Sequence, residues 1–177
     1  MALSEGCLNI RNMEDADFPE ICRWFTTEKE LAQWGGPLPR FPLDPPQLAE
    51  MLAESAGTPP RRWLFCAGEP GAATATAQVV LDWRNGVALL GRVAVNPGNR
   101  GQGIAAPFLK SIMQRVFAEP DIARLELNVY TFNQAAIHTY EKLGFILEGV
   151  RRSSAKVGLE RWDTAMYAIV RVPPPLT

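Results

Sequence analysis

A single histidine, His138, serves the 177 residues, and the three cysteines, Cys7, Cys22 and Cys66, follow no Cys-x-x-Cys or Cys/His ligand spacing. A zinc site wants four such ligands at short, regular spacing, so none is expected here, nor any other structural metal. An odd number of cysteines also argues against a disulfide framework and for buried thiols in a reducing compartment. Charge of one sign is missing as well. Lysine and arginine number 18 against 19 aspartates and glutamates, for a net charge of −1, and the basic residues are scattered. A nucleic-acid partner would call for a basic surface, so none is expected. No apolar run approaches the ~18 residues of a membrane span. The first residues lack a basic segment followed by an apolar run, so a secretory leader is not expected and a cytoplasmic location is. Repeats, heptads and low-complexity tracts are absent too. What remains is 47% hydrophobic and 21% charged residues, the balance of an ordinary globular protein large enough for one domain with a substantial core.

Hydrophobic periodicity divides the chain into an α/β pattern. Residues 7–11 alternate as a short strand. Residues 13–25 read as a helix with Phe18, Ile21, Cys22 and Phe25 on one face and Trp24 at its edge. Residues 34–46 hold too many prolines for regular structure. Asp44 followed by Pro45 and Pro46 then caps a helix over 47–55. Strands follow at 63–67, 74–83 and 87–96, the last two joined at Asn85-Gly86, a strong hairpin signal. A long helix from Gly101 or Gly103 carries the stripe Ile104, Phe108, Leu109, Ile112, Met113, Val116 and Phe117. Pro107 would then lie about one turn in and distort it. A strand over 124–130 alternates Leu125, Leu127 and Val129 with Glu126, Asn128 and Tyr130. A second helix spans 133–143, stopped by Gly144. Strands at 145–151 and 161–172 close the fold, and 173–177 is a tail. The order is βααβββαβαββ, a layered α/β sheet.

The stretch that organises this chain runs from Val93 to Ala105. It leaves a strand, turns through Pro97-Gly98-Asn99 and opens a helix with Arg100-Gly101-Gln102-Gly103-Ile104-Ala105. Small side chains there leave backbone N–H groups at a helix start open to an approaching ligand. The helix dipole adds partial positive charge, which suits a phosphate, and better two. The plainer reading is a tight strand–helix connection. A second block, Asn133-Gln-Ala-Ala-Ile-His-Thr-Tyr-Glu-Lys-Leu-Gly-Phe145, sharpens the first. In this order and spacing the two blocks resemble the GNAT N-acetyltransferases. Arg100-x-x-Gly103-x-Ala105 fits that family's pyrophosphate-binding pattern. Asn133, Tyr140 and the Glu-Lys-Leu-Gly-Phe that follows fit its C-terminal motif. Clear matches cover about 90–150, within a chain read as one domain over 1–177.

The resemblance implies a GNAT-like, mostly antiparallel mixed sheet flanked by helices, splayed between strands four and five. It implies acetyl-coenzyme A as co-substrate, no metal, and transfer to an amine by direct attack in a ternary complex. The diphosphate would lie on the amides of Arg100, Gly101, Gln102, Gly103, Ile104 and Ala105. The pantetheine would pair with Val93, Ala94 and Val95 and meet Asn133, which also makes a good helix cap. Tyr140 would protonate the leaving thiolate; otherwise it is an amphipathic core tyrosine. Relatives that acetylate ribosomal-protein N-termini carry a glutamate five residues before the asparagine. Asn128 stands there and cannot accept a proton. Glu126, on the same strand face, is the candidate base through water, or else the partner of a nearby arginine. Asp82, Glu148 and Asp163 are weaker candidates. His138 sits about 200° around the helix from Tyr140 and reads as solvated. The 34–46 loop, with Trp34, Leu38, Arg40 and Phe41, would rim the acceptor site. A small-molecule amine or a protein N-terminus fits as acceptor, and a homodimer is in keeping with the family. Two other functions stay open. One is a non-catalytic acyl-coenzyme A binding domain. The other is an unrelated phosphate-binding domain, disfavoured because no Lys-Ser/Thr follows the glycines.

Overall fold

The computed structural model describes residues 8–171. Cys7 and the 173–177 tail lie outside the described residues. Seven strands form one mixed sheet in the order β1-β2-β3-β4-β5-β7-β6. They are β1 (Arg11–Asn12), β2 (Arg62–Ala67), β3 (Ala75–Asp82), β4 (Val87–Val95), β5 (Arg124–Tyr130), β6 (Ile146–Val157) and β7 (Glu160–Val170). All neighbours are antiparallel except β4 and β5.

Each face of the sheet is covered by helices. On one side lie α4 (Ala105–Phe117) and α5 (Gln134–Lys142). The expected stripe of α4 buries Phe108, Leu109, Ile112 and Val116 against Val79, Leu90, Leu125 and Leu127. On the other side lie α1 (Phe18–Cys22), α2 (Glu28–Gly35) and α3 (Pro45–Ala53). Here Ile21, Trp24, Leu31 and Leu48 pack on Leu64 and Cys66. The alternation read in β5 holds, with Leu125, Leu127 and Val129 buried.

The N-terminal helices differ from expectation. One helix over 13–25 and one over 47–55 were anticipated. The first is instead a 3-10 turn over Asp15–Asp17 followed by the five residues of α1. Pro19 explains the break. It stands in the first turn of α1, where it costs no hydrogen bond, whereas a helix begun at Met13 would carry it internally. The chain then starts again as α2, which was not anticipated. Thr27 and Glu30 form a reciprocal capping box, each side chain accepting from the other's backbone amide. The element order is therefore βαααβββαβαββ. Asp44 does cap α3, accepting from the Gln47 amide at 3.1 Å, with Pro45 behind it.

Pro107 also resolves differently. The long helix begins at Ala105, so Pro107 falls in its first turn, where its missing N–H would have been unpaired in any case. The expected distortion has no cause.

Asp17 ties the first elements to the sheet. Its buried carboxylate accepts two hydrogen bonds from Arg11, each 2.7 Å, and further ones from the amides of Glu14 and Gly71. Burial alone would raise this carboxyl pKa. The Arg11 guanidinium and the two amides outweigh burial and hold it below its ordinary value.

Candidate functional site

Two irregularities in β4 open the sheet. First, its parallel pairing with β5 stops at Leu90↔Leu127. Beyond that point β5 stays with β7 as far as Tyr130↔Thr164, while β4 stays with β3 as far as Val95↔Ala75. The two strands part, and Val93–Val95 face Asn128–Tyr130 without pairing. Second, β4 bulges against β3. Gly91 pairs with Gln78 and Ala94 with Thr76, so Arg92 and Val93 together oppose Ala77. Arg92 takes the left-handed backbone conformation at φ 50°. A bulge bends the strand and leaves an amide outside the ladder. Trp34 of α2 pins this one by donating its indole N–H to the Arg92 carbonyl at 2.6 Å. The indole also stacks on Phe25, with ring centroids 4.7 Å apart.

A cavity of about 720 Å³ runs through the gap. One wall belongs to the α4–α5 side: Ala105, Leu109, Asn133, Ala136, Thr139 and Tyr140. The other belongs to the α2 side and the β6–β7 hairpin: Phe25, Glu30, Trp34, Gly35, Gly36, Pro37, Arg151 and Thr164. Val93, Ala94, Val95 and Arg100 line it as well.

The turn at the mouth is shaped by glycine. Gly101 and Gly103 take φ of 76° and 71°, which an L side chain adopts only under strain, although a Cβ at either would touch nothing within 4 Å. Arg100 to Gly103 are exposed. Among the described residues, the amides of Gly101, Gly103 and Ile104 find no acceptor. Proline at 107 removes a further donor from the helix start.

Asn133 caps α5 through Oδ1, which accepts from the Ala136 amide at 3.4 Å. Its NH₂ has no hydrogen-bond acceptor among the described residues, and the residue lines the cavity. Tyr140 is 8% exposed, with its ring edge-on to Phe145. Its hydroxyl makes no hydrogen bond among the described residues, and burial pushes its pKa up to about 12. It is therefore fully protonated near neutral pH, as a proton donor must be.

Glu126 is not brought into the site. It stands opposite Leu89, in the closed part of the β4–β5 ladder. Its carboxylate accepts from Arg124 Nε at 2.7 Å, and the same guanidinium binds Glu148. The plainer reading of Glu126, an arginine's partner, is the observed one. Asp82 accepts from Asn85, and Asp163 accepts from the Ser153 amide at 2.6 Å; neither lines the cavity. Asn128 does line it and accepts from Arg151 at 2.7 Å. His138 is exposed. Of the proposed acceptor rim, Trp34 lines the cavity, but Leu38 and Phe41 are 81% and 45% exposed and lie away from it. The sequence pattern gives no site role to Glu30, Arg92 or Arg151, which also line the cavity.

Among the described residues, Glu30 is the one carboxylate on the cavity. It accepts from the Thr26 amide and hydroxyl, both at 2.8 Å, and from the Thr27 amide at 3.2 Å. The bond from the Thr26 amide, then that from its hydroxyl, holds its pKa below the ordinary value. Neither described cysteine lines the cavity, and burial pushes Cys22 to about 11 and Cys66 to about 12. Among the described residues no helix is long and apolar enough to cross a membrane, and no cluster of His, Cys, Asp and Glu is arranged to hold a metal ion.

Comparison with known proteins agrees with this geometry. An aminoglycoside N(6′)-acetyltransferase type 1 of Klebsiella pneumoniae is 25% identical over 158 residues, covering 82% of this chain and 77% of the relative. Two solved structures share the fold. The spermidine N-acetyltransferase of Vibrio cholerae in complex with coenzyme A and spermine superposes with a TM-score of 0.77 at 17% identity, covering 92% of this chain and 95% of that one. A ribosomal L7/L12 α-N-protein acetyltransferase in complex with coenzyme A gives 0.76 at 18%, covering 92% and 93%. The model of the acetyltransferase (GNAT) family matches residues 18–145. With its split sheet, glycine turn and Asn133–Tyr140 helix in that family's order, the chain is a member of the GNAT acetyltransferase family.

Proposed function

We propose that this protein transfers the acetyl group of acetyl-coenzyme A to a primary amine by direct attack in a ternary complex. The observation that carries this reading is the cavity at the β4–β5 gap, lined by Tyr140 and by Arg100 and Ala105, which flank the open amides of the glycine turn. The amides of 101–105, with Arg100, hold the diphosphate. The freed edge of Val93–Val95 takes the pantetheine amides as if they were a further strand, and the NH₂ of Asn133 adds a donor. The thioester then lies beside the Arg92–Val93 bulge, whose unpaired amide faces the oxyanion.

The amine nitrogen attacks the thioester carbonyl and forms the C–N bond. The tetrahedral intermediate collapses, the C–S bond breaks, and Tyr140 gives its proton to the departing sulfur. Solvent takes the amine's proton and reprotonates the phenolate. Neither described cysteine is placed to form an acyl-enzyme, and Glu30, the one carboxylate on the cavity among the described residues, has its Oε2 held by Thr26 and Thr27. Members of the same fold carry names for small polyamine and protein N-terminal acceptors, so an amine is the acceptor class.

A carboxylate held below its ordinary pKa, as Glu30 is, makes a poor base, so the acceptor must arrive already neutral. The expected result of a thiol-release assay is a kcat/KM that rises with pH along the acceptor's own ammonium titration. Exchanging the acceptor for one of lower amine pKa moves the limb by the same interval. A limb that stays fixed near pH 6–7 whichever amine is used reports an enzyme base and contradicts the scheme. The lack of a strong base among the described cavity residues also fits a non-catalytic acyl-coenzyme A binding domain on this fold. Tight coenzyme binding without thiol release from any amine identifies that alternative.

A further inference from the structure

We propose that the amine acceptor carries a carboxylate beside an apolar body, and that Arg92 receives that carboxylate. The inference rests on the transferase reading and names its substrate class.

Arg92 lines the cavity at the bulge, where β4 has already left β5. Its guanidinium lies on the α1–α3 face of the sheet, within 6.0 Å of the Trp34 ring. Among the described residues its one polar side-chain partner is neutral: Nη1 donates to Gln78 Oε1 at 3.0 Å. That same oxygen already accepts from Arg62 at 2.9 Å. The nearby Glu54 is spent on Arg62 and Arg61, at 3.2 and 3.7 Å. Among the described residues no carboxylate stands within ion-pair distance of Arg92. A largely desolvated cation next to a second guanidinium is costly unless an anion completes it. Burial first, then Arg62, lowers its pKa to about 10, so it stays charged at neutral pH.

The coenzyme's phosphates do not supply that anion. Arg92 lies three residues, about 10 Å of strand, before the end of β4 at Val95. The phosphate turn lies further on, by the α4 side of the sheet. The pantetheine and thioester that pass nearby are uncharged. The missing partner therefore comes with the acceptor, from the α2 side.

The rest of the cavity has the same preference. With Arg100 on the diphosphate, Arg151 adds positive charge, and among the described residues Glu30 is the one carboxylate on the cavity, with its Oε2 held by Thr26 and Thr27. A polycationic amine would meet the wrong sign. The apolar surface comes from Phe25, Trp34 and Tyr130. Gly36 leaves room before Tyr130, whose hydroxyl would sit 4.0 Å from a Cβ placed there. Charge and shape together select an amino-acid-like acceptor with an apolar side chain.

The test is calorimetric titration of the protein–coenzyme A complex with N-acetylglycine, N-acetylleucine and N-acetylphenylalanine, each against its own amide, and with spermine. In the tightest-binding pair the acid is expected to bind roughly tenfold or more tightly than the amide. Arg92→Gln abolishes that preference and Arg92→Lys keeps part of it, with coenzyme affinity unchanged in both. Acid and amide binding equally, spermine binding above every acid, no acid binding at all, or a preference that survives Arg92→Gln each overturns the proposal. If Arg92→Gln does not fold, the acid-to-amide ratio of the unsubstituted protein decides alone. Coenzyme A failing to bind sinks the transferase reading and this one with it; coenzyme binding without an acid preference sinks only this one.

Discussion

Replacing Tyr140 with phenylalanine should lower kcat about 100-fold, the usual scale of general acid catalysis, and leave coenzyme affinity intact. The substitution removes one oxygen. The ring keeps its contact with Phe145 in the core. The lost hydroxyl has no hydrogen-bond partner among the described residues, so the fold loses nothing measurable. What disappears is a proton at the sulfur as the tetrahedral intermediate breaks down. That interaction exists only in the transition state, so kcat and kcat/KM fall together. Steady-state thiol release against acetyl-coenzyme A, with a separate coenzyme titration, reads both quantities. An unchanged kcat removes Tyr140 from the mechanism.

Gly103→Val should act on the opposite parameter. The residue sits at φ 71°, where a β-branched side chain pays about 1–2 kcal/mol or more. No neighbour lies within 4 Å of the added Cβ, so the loop is free to relax by turning its backbone. Relaxation redirects the amides of 101–105 away from a common point. Coenzyme affinity is expected to weaken by about tenfold or more, as several charge-assisted bonds are lost together. At saturating coenzyme, kcat stays near its original value, because the chemistry at Tyr140 is untouched. Thermal unfolding should barely shift, since the loop is exposed. An affinity that does not change would mean the diphosphate lies elsewhere.

Much of this site was legible because its two signals are local. The strand, glycine turn and helix of 93–105 follow one another in the chain, and so do the cap and tyrosine of α5. Their positions depend on a few consecutive dihedral angles and one helical period. Arg92 was not legible for the opposite reason. Its strained conformation and its unpaired charge depend on Trp34, 58 residues earlier, and Gln78, 14 residues earlier. Only the strand register brings those together. Glu126 was misplaced although the clue was close by. Arg124, two residues away on the same strand, shares its face and claims its carboxylate. The missed helix α2 had a readable start in Thr27-x-x-Glu30. That cap holds the Glu30 carboxylate below its ordinary pKa, which makes it a poor base.

The central claim is that one coenzyme spans the split sheet, with its diphosphate on main-chain amides and its sulfur at Tyr140. A crystal structure of the complex with coenzyme A tests this most directly. The account predicts phosphate oxygens about 3 Å from the amides of 101–105. It also predicts the pantetheine along Val93–Val95 and the sulfur beside the Tyr140 hydroxyl. A coenzyme bound away from that turn, or a sheet closed by pairing of Val93–Val95 with Asn128–Tyr130, would contradict it.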